Sequence, residues 1–135
     1  MTAGAGAIHS FAVQCASAEH RVRYMRRITR AQLCRWGLTA LADSAVLVVS
    51  ELVTNAILYG GGGSVALRVE HRPDELLIEV TDEGQVVPVP RVAEREDESG
   101  RGLLLIACVA EAWGVSDDGG TKWCSLALPQ TFQGR

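Results

Sequence analysis

Between Thr39 and Leu58 the chain carries an apolar stretch of helical character that includes Val48, Val49, Leu52 and Val53. A helix apolar on nearly all sides has to be covered by other elements of a core. Two of its polar side chains, Glu51 and Asn55, sit four residues apart and therefore share one face. Taken alone, they fit the polar stripe of an amphipathic helix. In a nearly buried helix, however, polar side chains need partners, because an unpaired buried carboxylate is costly. Thr39 is the expected N-cap, and the run Gly60 to Gly63 ends the helix.

The rest of the chain supplies elements to cover that helix. Ile8, Phe11, Val13 and Cys15 suggest a first strand. A helix follows, with Ser17 as expected N-cap and Glu19 in its first turn, and it stops at Gly37. Its apolar stripe is Val22, Met25, Ile28, Leu33 and Trp36. Val65, Leu67 and Val69 alternate with smaller or polar residues, Arg72-Pro73-Asp74 is a turn, and Leu76 to Val80 is a second strand of a hairpin. Gly84 to Ser99, with Pro88, Pro90 and a charged run from Glu94 to Glu98, reads as a loop. Leu103 to Ala112 is expected to be helical, and Trp113 to Ser116 and Lys122 to Leu128 to be strands around the turn at Asp117 to Gly120. The order β-α-α-β-β-α-β-β implies an α/β (α+β) two-layer sandwich, with helices on one face of a mixed sheet.

Three short stretches carry chemistry. Glu51 and Asn55 can together hold a hydrated magnesium ion, which takes one or two protein oxygens besides waters and phosphates. Asp82, in Thr81-Asp82-Glu83-Gly84 at a strand end, can accept a hydrogen bond from an exocyclic amine such as that of adenine. In Ser99-Gly100-Arg101-Gly102-Leu103 the glycines let backbone approach phosphates, and the helix that follows offers unpaired N–H groups. Arg101 either reaches a phosphate as a bidentate donor or faces solvent.

In their order and spacing these stretches resemble the GHKL ATP-binding superfamily, whose members include gyrase, Hsp90, MutL and histidine-kinase catalytic domains. The chain looks most like the small anti-sigma-factor kinases and their actinobacterial relatives. Glu51 to Asn55 is similar to the N-box, Asp82 and Gly84 to the G1 box, and Gly100 to Gly102 to the G2 box. Gly120-Thr121 resembles the closing Gly-Thr element, and Val86 stands where the G1 pattern has its second glycine. The resemblance implies ATP and Mg2+ as ligands. Nucleotide contacts would come from Asn55, Asp82, Gly84, Gly100, Arg101, Gly102, Leu103 and Thr121, with Asn55 on the metal and Glu51 as catalytic base. It further implies a serine/threonine kinase that phosphorylates an anti-anti-sigma (STAS-like) protein and binds a sigma factor. Two other readings stay open, a non-catalytic ATP-gated binding module and a detached histidine-kinase catalytic domain.

Bulk properties narrow the classes. The 135 residues suit one domain, expected over 8–128 with flexible ends at 1–7 and 129–135. A net charge of −3 gives no general reason to bind nucleic acid. No uninterrupted apolar run reaches membrane-helix length, and the N-terminus lacks the basic and apolar segments of a signal peptide, so a cytoplasmic protein is expected. Cys15, Cys34, Cys108 and Cys124 are scattered among apolar neighbours and read as buried reduced thiols. Arg21, Arg23, Arg26, Arg27, Arg30 and Arg35 crowd the first helix, as a solvated face or as a docking surface for an acidic partner or a second copy. His9, His20 and His71 are expected at the surface, in no phosphoacceptor context.

Overall fold

The computed structural model describes residues 6–83 and 109–129. Strand β1 (His9–Ala16) leads into helix α1 (Arg21–Arg35), a short 3-10 turn (Thr39–Leu41) and helix α2 (Ala42–Tyr59). Strands β2 (Ser64–His71), β3 (Glu75–Asp82), β4 (Ala112–Val115) and β5 (Thr121–Ala127) complete the described elements. The strands form one sheet in the order β1-β2-β3-β5-β4, and both helices pack on one face of it. This is the expected α/β sandwich.

The sheet differs from expectation in one respect. Each of its pairings is antiparallel, so it is not mixed. After the two helices the chain returns β2 beside β1 in the opposite direction. Between β3 and β4, which run the same way, β5 inserts and makes both contacts antiparallel. The β2–β3 hairpin turns where expected, with the Arg72 N–H donating to the Glu75 carbonyl at 2.9 Å.

Gly37 ends α1 as its sequence position implies. At φ +80° it adopts the left-handed conformation that glycine takes freely. The Leu38 N–H donates to the Leu33 carbonyl at 2.8 Å and the Gly37 N–H to that of Cys34 at 3.2 Å, a Schellman closure. Leu33 and Leu38 are both buried, so the closure also joins the two helices through the core. The expected N-caps do not form. Residue 20 precedes α1 and Leu41 precedes α2, neither capping through its side chain. The reason is that 3-10-type bonds, such as Arg21 N–H to the Ala18 carbonyl, satisfy the first donors and delay both helix starts beyond Ser17 and Thr39.

Helix α2 lies at the centre of the core. Val48, Val49 and Val53 are fully buried against Val65, Leu67, Val69, Ile78 and Val80 of the sheet. Each such side chain contributes roughly 1.5–3 kcal/mol of transfer free energy. The segment Thr39–Tyr59 has a hydropathy of 1.6, apolar enough by composition for a membrane span, yet half of it is buried inside the protein. Its apolarity is that of a core helix.

The expectation of buried thiols holds for Cys124 and fails elsewhere. Cys34 is exposed on α1 and Cys15 is half-buried, because neither lies on the stripe of α1 or the inner strands that the core covers; Cys108 lies outside the described residues. His9 and His20 are exposed as expected, while His71 is half-buried. His9 and His71 pair directly across β1 and β2 and stack under Trp36, with ring centroids 5.3 Å apart for His9 and Trp36 and 5.5 Å for His9 and His71. Val109 retains helical geometry, but Ala112 already belongs to β4, one residue earlier than expected.

Candidate nucleotide site

The C-terminal half of α2 and the end of β3 meet on the helix-covered face of the sheet. Asp82 is the last residue of β3 and follows Leu76, Ile78 and Val80 in pointing inward. Its residue exposure is 8%, so the sequence places a carboxylate where the strand's alternation would otherwise put an aliphatic side chain. Gly60, directly after α2, makes this approach possible. A Cβ there would fall 2.8 Å from Asp82 Cγ and closer still to the Ala56 carbonyl oxygen.

One turn back along α2, Asn55 is 91% shielded and makes no hydrogen bond among the described residues. Its amide is not among the fully enclosed polar atoms without a partner, which among the described residues are Arg21 Nε and His71 Nδ1, so it keeps contact with solvent and is open to a ligand. Glu51, on the same face, is half-buried and has an interaction of its own. The residues expected to contact nucleotide thus divide. The structure brings Asn55, Glu51 and Asp82 to the region where α2 meets the sheet. Gly84, Gly100, Arg101, Gly102 and Leu103 lie outside the described residues, as does Val86.

Thr121 is placed otherwise than the sequence reading expects. It pairs with Thr81 in register, and the two hydroxyls lie 2.9 Å apart. Successive residues of a strand face opposite sides, so this pair is on the open face of the sheet, away from Asp82. The residue that does turn inward is Lys122, which sequence reasoning missed. Its Nζ donates to Asp82 Oδ2 at 3.2 Å and approaches the Gly119 carbonyl at 3.5 Å. Both side chains are nearly enclosed, at 9% exposure for Lys122 and 3% for Asp82. The signal was present in the alternation Lys122, Cys124, Leu126, in which a lysine occupies an inward position. The backbone fixes the junction further, since the Asp82 N–H donates to the Gly120 carbonyl at 2.9 Å.

A second ionic cluster occupies the opposite, open face. Glu70 is 1% exposed and receives hydrogen bonds from Arg68 at 2.9 Å and from Arg72 at 2.8 Å. Burial pushes its carboxyl upward, but the two guanidinium hydrogen bonds outweigh this and hold it below the usual carboxylate value. Arg72 also reaches Glu75, whose other oxygen accepts from the Ser125 hydroxyl at 2.7 Å. Satisfied in this way, the cluster is structural and separate from the Asp82 junction.

A two-layer sandwich with a carboxylate at the strand end under a helix carrying inward polar groups defines a class of nucleotide-binding domain. Residues 15–124 match the family model described as histidine kinase-like ATPase domain, and the chain belongs to that family. Membership points to ATP binding. The match covers both helices and ends within β5 at residue 124, so it includes every described residue of the junction.

Proposed function

We propose that this protein is a cytosolic, Mg-ATP-dependent serine/threonine kinase of the anti-sigma-factor type, which phosphorylates an anti-anti-sigma partner and regulates a sigma factor. The observation that carries the nucleotide part is the Asp82 carboxylate, enclosed at the end of β3 where Gly60 closes α2 over it. Those residues fit the ligand. An enclosed carboxylate at Asp82 suits a base amine, and an amide and carboxylate on one face of α2 suit a hydrated magnesium ion. The kinase subtype and both partners rest on the sequence resemblance.

In this reading Asp82 accepts a hydrogen bond from the base, and Asn55 holds magnesium. The motif residues Gly84, Gly100, Arg101, Gly102 and Leu103 would line the phosphates. Bound Mg-ATP supplies the phosphoryl group and its charge neutralisation. Glu51 would orient the acceptor hydroxyl of the partner's serine and take its proton, the γ-phosphoryl group passing to that oxygen while its bond to the β–γ bridging oxygen breaks and ADP leaves. A carboxylate is the available base, because neither His9 nor His71 lies at the junction. Thr121 keeps a structural role, tying β5 to β3 through Thr81.

The test is paired: Mg-ATP affinity by calorimetry, and the intact mass of a serine-bearing partner after incubation with protein and Mg-ATP. Binding together with a gain of one phosphate supports the kinase. Binding without transfer to a partner that forms a complex with the protein leaves the ATP-gated binding module, and absence of binding removes both.

A further inference from the structure

A carboxylate that reads adenine alone rejects 6-oxopurines, because a carbonyl at C6 would face its negative oxygens. Asp82 is not alone. Lys122 reaches it from the neighbouring strand, with Nζ 3.2 Å from Oδ2, and the two side chains are 9% and 3% exposed. An ammonium has three N–H donors. Among the described residues Asp82 takes one and the Gly119 carbonyl, at 3.5 Å, takes a second. One donor remains, held beside the carboxylate in a site nearly closed to water. A carboxylate offers about four lone-pair positions, so Asp82, which has a further interaction besides Lys122, can still accept from a base.

We propose that Lys122 and Asp82 form a donor–acceptor pair that reads the C6 edge of the base, so that the site takes 6-oxopurine nucleotides as well as adenine nucleotides. This rests on the nucleotide reading of the junction given above. Adenine presents an amine donor at C6 beside the acceptor N1, and hypoxanthine presents an acceptor at C6 beside the donor N1–H. The pair satisfies either edge, with Asp82 accepting from the donor and Lys122 donating to the acceptor. The flexible four-carbon stem of lysine accommodates the exchange of order. With no lysine, the 6-oxo group would meet a buried carboxylate and lose its hydrogen bonds, a penalty that binding sites use to discriminate strongly.

The experiment is a series of triphosphates titrated by calorimetry into the wild-type protein with magnesium: ATP, ITP and purine riboside triphosphate, which has no C6 substituent. ITP is expected to bind within about tenfold of ATP and more tightly than the unsubstituted purine, because its N1–H donates to the Asp82 carboxylate while its C6 oxygen accepts from Lys122, whereas the unsubstituted purine offers only the acceptor N1. Lys122→Met should then weaken ITP by about tenfold or more, and more than the unsubstituted purine, which has no C6 oxygen to face the carboxylate. If Lys122→Met does not fold, the wild-type series still decides. ITP weaker than purine riboside triphosphate by about tenfold or more overturns the pair while ATP binding stands. If none of the three binds, the nucleotide reading itself falls, and this inference with it.

Discussion

Gly60 and Asp82 are in such close contact that any side chain on the glycine would displace the carboxylate. A Cβ would stand 2.8 Å from Asp82 Cγ and 2.9 Å from its Cβ, with the Ala56 carbonyl nearer still. The backbone at Gly60 has an ordinary φ of −94°, so space and not conformation demands glycine here. Gly60→Ala is therefore an overpacking change, expected to cost about 1–3 kcal/mol by thermal or urea unfolding. ATP affinity should fall with it, since Asp82 must shift. An alanine variant that melts and binds as wild type would show that the end of α2 does not set the position of Asp82.

Removing the Asp82 charge should be felt in stability as well as in binding. Asp82→Asn leaves the Lys122 ammonium enclosed without its counter-charge, and breaking a buried pair by removing one partner typically costs about 3–5 kcal/mol. The amide also replaces one acceptor of the base by a donor, so ATP affinity should drop about tenfold or more. The double variant Asp82→Asn with Lys122→Met should regain part of the stability and none of the affinity for ATP. Urea unfolding beside calorimetry separates these two effects.

Glu51 and Asn55 share a face of α2 yet should fail differently. Glu51→Ala is expected to slow phosphate transfer to a serine-bearing partner by about 10²–10⁴-fold, the usual worth of a general base, with ATP affinity largely kept. Asn55→Ala should weaken both, because magnesium ligates the bound phosphates as well as neutralising them during transfer. Phosphate transfer by Glu51→Ala at the wild-type rate would exclude Glu51 as the base.

The thiols should react in the order of their burial. Cys34 is exposed, whereas Cys124 is fully buried and desolvation pushes its thiol up to about 11. Only the thiolate is alkylated, so at pH 8 Cys124 should resist iodoacetamide in the folded protein while Cys34 reacts. Peptide mass mapping checks this, and early modification of Cys124 would mean that β5 opens readily.

Much of the fold was legible because it depends on local pattern. The apolarity of Val48, Val49, Leu52 and Val53 made α2 a core helix, and Gly37 marked the end of α1. The alternation of Val65, Leu67 and Val69 set the inner face of β2. What was not legible depends on register and on turns. Ser17 and Thr39 are good capping residues, but short 3-10 turns satisfied the first amides and moved the helix starts on. In the candidate site, Glu51, Asn55 and Asp82 stood out by position, since each is polar where apolar neighbours dominate. Lys122 escaped notice although its alternation with Cys124 and Leu126 carried the signal, because a lysine reads as solvent-facing until the pairing of Thr121 with Thr81 shows which of the two points inward.

The stack of His9, His71 and Trp36 should make stability depend on pH in a window of its own. Burial lowers the pKa of His71 below the ordinary histidine value of 6.5, and the charge of His9 across the strand pair adds to this. In the unfolded chain His71 takes up its proton near 6.5, and in the folded protein only at lower pH. Between these values the unfolded state binds more protons, so stability rises with pH. The neutral imidazole's contribution is intact above 6.5 and is lost as pH falls toward the folded value. Glu70, held below the ordinary carboxylate value of 4.5, contributes at lower pH, with its share intact above 4.5 and lost as pH falls from there toward its folded value. Urea midpoints at pH 7.5 and 5.5 therefore isolate the histidines from Glu70, and wild type should be less stable at 5.5. His71→Phe keeps an aromatic ring beside Trp36, whose centroid is 6.2 Å away, and removes the titration. The variant should show a flatter dependence between the two pH values, and an unchanged slope would place the titrating group elsewhere.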